Sequence, residues 1–136
     1  MADPRHPRGL IDTSVVIDLE LIEPADLPGE IAVSAITMAE LAAGPHDTTD
    51  SAERARRQDR LQRAEATFEP LPVDTAVARA YGRVYAAVGA AGRKARGRRA
   101  VDLFIAATAV AAGLPLYTRN PDDFAGLSEM LEIVAV

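Results

Sequence analysis

Residues 98–113 read RRAVDLFIAATAVAAG and are followed at 114–124 by LPLYTRNPDDF. The first stretch has the length and the glycine stop of a helix; the second opens as a short apolar strand and closes in a turn-rich run. A helix feeding directly into a strand is the repeating unit of a parallel sheet, so this junction sets the fold class. The helix is apolar on nearly every side, which marks a central packing element, yet it carries a single carboxylate, Asp102, near its start. From Thr75 to Asn120 there are eight basic side chains, and Asp102 is the only acid among them.

The same alternation extends towards the N-terminus. A first strand is expected over Arg8–Asp12, with Asp12 or Thr13 capping a helix over Ser14–Glu20. After the proline-punctuated EPADLPGE come a strand, IAVS (31–34), and a helix, ITMAELAAG (36–44), which holds Glu40 and stops at Gly44-Pro45. A long charged helix over 50–68 leads to a third strand, EPLPV (69–73). Asp74 then caps a helix over 75–89 whose Val77, Tyr81, Val84 and Val88 share one face. AGRKARGRR (91–99) reads as a basic loop, and EIVAV (132–136) as the last strand. Strands alternating with helices predict an α/β fold, a three-layer α/β/α sandwich on a mainly parallel sheet, with ligands at the carboxyl ends of the strands. Ala106, Ala107, Ala109, Ala111 and Ala112 would let the apolar helix approach that sheet closely.

With 136 residues, 49% apolar composition and neither cysteine nor tryptophan, the chain suits one domain over residues 1–136. The absence of cysteine and of any bilayer-length apolar run points to a soluble protein of a reducing compartment, the cytoplasm, with no membrane partner. The first nine residues read as a frayed lead-in. Net charge is −5, which argues against a general nucleic-acid coat, but it is segregated: −8 over residues 1–74, +7 over 75–121 and −4 over 122–136. A basic middle suits an anionic substrate or an acidic protein.

Asp12, Glu40, Asp102 and the Asp122/Asp123 pair all fall near strand ends or on the helices beside them. Carboxylates crowded at one sheet edge repel unless a cation neutralises them. Oxygen ligands without Cys or His select Mg²⁺ or Mn²⁺, which polarises a phosphoryl oxygen and activates water. His6 and His46, both in segments read as flexible, are not placed for that task. Asp12 alone is equally a helix cap, Glu40 a solvated charge, and Asp18, one and a half turns from Asp12, a solvent-facing residue of the first helix with a minor second role in supporting the site. Thr13, Ser14 and Thr118 read as capping or turn hydroxyls with a secondary role in orienting a ligand. Arg54, Arg56, Arg57, Arg60 and Arg63 alternate with acids and read as a solvated, salt-bridged face. The run from Arg93 to Arg99, with Arg93, Arg96, Arg98 and Arg99, contains no acid and sits just before the candidate site, so phosphate contact is at least as good a reading as solubility.

LIDTS, AITMAELAAG and AVDLFIAATAVAAGLPLYTRNPDDF, in that order, resemble the PIN-domain ribonucleases, most closely the VapC toxins of bacterial toxin–antitoxin pairs. The resemblance covers nearly the whole chain, and D-x-x-IAATA followed by TRN-x-x-DF is its most specific part. It implies Mg²⁺- or Mn²⁺-dependent endonucleolytic cleavage of RNA, a small antitoxin partner and a homodimer. The family's acidic positions fall on Asp12, Glu40 and Asp102. For the fourth, many relatives carry an acid where Asn120 stands, and here Asn120 is offered together with Asp123. With aromatic content of 4% there is no stacking platform for single strands, so specificity is expected from RNA shape and loop contacts. Two rivals remain. A phosphotransfer domain with Asp12 as nucleophile would have a second acid two residues on and a lysine after a late strand, and this sequence has neither. A catalytically silent RNA- or protein-binding module has no use for converging acids.

Overall fold

The computed structural model describes residues 6–92 and 97–136, without the side chain of Arg98; Arg93 and Arg96 of the expected basic loop lie outside the described residues. Four strands, β1 (Arg8–Ile11), β2 (Glu30–Ala32), β3 (Leu116–Thr118) and β4 (Ile133–Ala135), form one sheet in the order β2-β1-β3-β4 with every neighbouring pair parallel. The α-helices are α1 (Thr13–Ile17), α2 (Ala35–Ala43), α3 (Ser51–Thr67), α4 (Thr75–Ala90) and α5 (Arg98–Ala112).

Strand alternation divides the core between the two faces of the sheet. Leu10, Ala32 and Leu116 pack with Val77 and Val84 of α4 and with Leu103 and Ala106 of α5. Their neighbours Ile11, Val33 and Tyr117 turn the other way, onto Val15 of α1, Leu41 of α2 and Ala64 of α3. Two helical layers thus sandwich the sheet, as the sequence predicts. Each fully buried Leu, Ile or Val here contributes about 1.5–3 kcal/mol. Tyr81 of α4 stacks on Phe104 of α5 with ring centroids 4.1 Å apart, fastening the two helices.

Local chemistry sets the helix ends. The side chains of Asp12, Ser34, Asp50 and Asp74 each accept a backbone N–H at the start of α1, α2, α3 and α4. Gly113 ends α5 in the left-handed conformation (φ +66°), which a side chain resists. Gly9 is required sterically, since a Cβ there would sit 2.6 Å from the Tyr117 ring.

Five expectations are corrected. EPLPV is not a strand: Leu71 alone pairs, through a bridge to Ser34, because Pro70 and Pro72 on either side lack the N–H that a ladder needs. The first helix ends at Ile17, and Leu19–Leu21 is a separate 3-10 turn. Ala111 and Ala112 are exposed, so close approach to the core rests on Ala106, Ala107 and Ala109. His6 is not in a frayed end: its Nε2 lies 2.8 Å from Glu132 Oε2, and its carbonyl accepts from Gly29 N–H. His46 belongs to a 3-10 turn, Gly44–His46, at the end of α2.

Candidate active site

Asp12 is the residue immediately after β1, where the chain leaves the sheet and starts α1. The residue is only 6% exposed. Oδ2 accepts the Thr118 hydroxyl at 2.5 Å, from the residue that ends β3, the neighbouring strand. Oδ1 accepts the Ser14 hydroxyl at 2.6 Å and the Val15 N–H at 3.1 Å. The clamp is itself anchored, because Arg119 N–H donates to Ser14 Oγ and Asn120 N–H to Thr118 Oγ1. All these partners are neutral donors, and no described cationic side chain pairs with Asp12. A buried carboxylate held without a counter-charge is costly, which makes an external cation the natural complement.

Glu40 reaches the same place from α2. The Thr13 hydroxyl, on the residue after Asp12, donates to Glu40 Oε1 at 2.5 Å and also lies 3.1 Å from the fully buried Thr37 Oγ1. Thr13 and Glu40 line a cleft of about 760 Å³ that runs towards Arg57 and Arg60 of α3. His46, read from the sequence as part of a flexible segment, lines this cleft as well.

Asp102 is half-buried and sits in the second turn of α5 rather than at its start, so the helix dipole favours its charge less than a first-turn position would. Asp123 is half-buried and Asp122 exposed, both in a 3-10 turn over Pro121–Phe124 that follows β3. Arg99, three residues before Asp102, donates from a guanidinium nitrogen to the Asp123 carbonyl at 3.2 Å and ties the start of α5 to that turn. The Asn120 side chain is exposed. The structure therefore joins Asp12 to Glu40 through Thr13, and joins the Asp102 helix to the Asp123 turn through Arg99. Among the described residues, no three His, Asp or Glu side chains are near enough to share one ion. The candidate oxygen donors along this edge, the Asp12 and Glu40 carboxylates with the Thr13, Ser14 and Thr118 hydroxyls, are of the kind that suits a hard divalent cation.

Two contributions escaped the sequence reading, and one of its minor readings gains a partner. Thr37 supports Thr13 from α2. Ser34 and Thr108, both buried, lie 3.4 Å apart and link the start of α2 to α5. Asp18, whose side chain keeps 37% exposure, also makes an ion pair: its Oδ2 lies 3.3 Å from Arg119 Nε and links the end of α1 to the segment after β3. Hydroxyl residues bunched in TS and TR beside candidate acids were the available signal.

The PIN-domain family model matches residues 10–129. The chain is similar to ribonuclease VapC5 of Mycobacterium tuberculosis, 36% identical over 133 residues that cover 94% of this chain and 95% of that protein. It is also similar to ribonuclease VapC8 of the same organism, 43% identical over 102 residues, covering 74% and 89%. Among solved structures, VapBC-5 of M. tuberculosis, a member of the VapBC family of toxin–antitoxin systems, aligns with a TM-score of 0.81 at 35% identity, over 96% of this chain and 99% of that one.

Proposed function

The chain belongs to the PIN-domain family, and from that premise we propose that it is a metal-dependent endoribonuclease, the toxin of a toxin–antitoxin pair. The observation that carries this reading is the Asp12 carboxylate, buried at a strand end, clamped by two hydroxyls and lacking a cationic partner among the described residues. Asp12 and Glu40, joined through Thr13, would hold Mg²⁺ or Mn²⁺ from one side, and Asp102 and Asp123 would complete the set by drawing closer on metal binding, since no three described acids stand near enough to share one ion in this structure. When bound, such an ion polarises a phosphoryl oxygen and acidifies a water, allowing in-line hydrolysis of an RNA phosphodiester.

The chain's own groups prepare that chemistry. Ser14 and Thr118 fix both oxygens of Asp12, so its orientation is set before substrate arrives. Thr13 couples Glu40 to the same strand end. The Asp18–Arg119 pair holds α1 against the residues after β3, keeping the two hydroxyl donors in register. Arg99 ties the Asp123 turn to α5; phosphate contact by Arg93, Arg96 and Arg98 is carried from the sequence alone, since Arg93, Arg96 and the side chain of Arg98 lie outside the described residues.

The working unit we propose is one nuclease domain over residues 1–136, acting in the cytoplasm as a homodimer held in check by a small cognate antitoxin. Among the described residues no helix is long and apolar enough to cross a membrane. The test is cleavage of single-stranded RNA by purified protein, with and without chelator, alongside Asp102→Asn, followed by mapping of the new 5′ ends. Cleavage that survives chelation, or survives in a folded Asp102→Asn protein, would exclude the mechanism.

A further inference from the structure

The cations of α3 are not equivalent. Arg54 donates to the carbonyls of Pro45 and Thr48, and Arg57 to Glu53 and the carbonyls of Gly44 and Asp47. Arg56 pairs with Glu53, and Arg63 with Glu20 and Asp59. Arg60 is different: half-buried, it has no hydrogen bond or ion pair with any described residue. Its helical neighbours at i−4, i−3 and i+3 are Arg56, Arg57 and Arg63, so it sits among like charges, each unfavourable by about 0.2–0.5 kcal/mol. No described acid lies within ion-pair distance of it, although Glu40, Asp47 and Glu53 line the same cleft.

Arg60 also occupies a special place. It lines the cleft that contains Thr13 and Glu40, and it lines a second, adjoining cleft of about 270 Å³ walled by Val16, Leu19 and Phe68. Ile17 and Arg60 are shared by both, so the two clefts meet at a cation without a described partner. On the ribonuclease reading, this trough offers an RNA strand cut at the Asp12–Glu40 edge a path past Arg60.

We propose that Arg60 is a phosphate anchor, binding a backbone phosphate of the RNA strand to one side of the cut site. The proposal rests on the ribonuclease reading and on charge complementarity: an unpaired guanidinium meets a polyanion in a cleft that already holds the reactive edge. The contact grips the backbone and carries no base preference.

The test is fluorescence anisotropy of a labelled single-stranded oligoribonucleotide in EDTA, with wild type, Arg60→Gln, Arg60→Lys and Arg63→Gln across a salt series. Arg60→Gln is expected to lower the slope of log K against log salt by about 0.7, which is roughly eightfold weaker binding at ~50 mM salt when extrapolated from 1 M. Arg60→Lys should restore most of the slope, and Arg63→Gln should leave it unchanged. Because Arg60 has no partner among the described residues, Arg60→Gln should melt at or above the wild-type temperature. Unchanged RNA affinity and slope in Arg60→Gln, with wild-type cleavage intact, would overturn the anchor and leave the ribonuclease standing. Weakened antitoxin binding with unchanged RNA binding would overturn it in favour of a protein contact, and a wild type that neither binds nor cuts RNA would overturn both.

Discussion

Thr118→Val isolates the clamp on Asp12. The change is close to isosteric, so it removes the hydroxyl without opening a cavity, at a residue that is fully buried. It deletes the 2.5 Å hydrogen bond to Asp12 Oδ2 and the acceptor of Asn120 N–H at 3.0 Å. A hydrogen bond to a charged acceptor is worth about 1.5–3 kcal/mol, and the part-buried N–H adds less because water can reach it. Asp12 keeps Ser14 and Val15, so the expected loss is about 2–3 kcal/mol. For a chain of this size that lowers the melting temperature by roughly 7–10 °C. Thr118→Ser keeps the hydroxyl and loses one methyl group, at about 1 kcal/mol. Chemical denaturation gives the free energies, and a metal titration of RNA cleavage supplies the functional arm. Thr118→Val should need more Mg²⁺ for half-maximal rate, because one oxygen of Asp12 is no longer oriented; Thr118→Ser should not. A valine variant no less stable than the serine variant, with an unshifted metal requirement, would refute the clamp.

Asp12→Asn, Glu40→Gln and Asp102→Asn should each remove most cleavage and growth toxicity while leaving the circular dichroism spectrum unchanged, since charge is lost but little volume. EDTA should abolish cleavage, with Mg²⁺ or Mn²⁺ restoring it and Ca²⁺ doing so poorly because its larger, looser shell positions water less well. Asp123→Asn should raise the metal needed for half-maximal cleavage and Asp122→Asn should not; Asn120→Asp should partly rescue the Asp123 variant, and damage from Asp122→Asn instead would reassign the fourth acid. Hydrogen bonds from Arg57 and then Arg56 hold the Glu53 carboxyl below the usual glutamate range. Its pairing therefore persists above the unfolded value and is lost as pH falls through the lowered one; a carboxyl-carbon NMR titration should show this, and Arg57→Gln should return it towards normal.

The sequence by itself determined the layered architecture, because burial leaves a periodic trace. Val77, Tyr81, Val84 and Val88 recur at helical spacing, LPLYT is a short apolar run, and caps such as Asp74 and Gly113 act within a few residues of where they stand. It also marked Asp12, Glu40 and Asp102 as candidate acids. Only the tertiary structure decided what those acids touch. Thr118 is 106 residues from Asp12, and Glu40 is 27 from Thr13, so their pairing exists only after β3 has docked beside β1 and α2 has packed on the sheet. EPLPV looked like a strand because leucine and valine are apolar, but whether the backbone can pair depends on which N–H groups face a neighbour, and the prolines removed them. The same holds for α3: its alternating charges read as uniformly paired, and tertiary placement alone separated Arg60 from the other arginines, because partners for Arg54, Arg57 and Arg63 come from carbonyls and acids that only folding brings near.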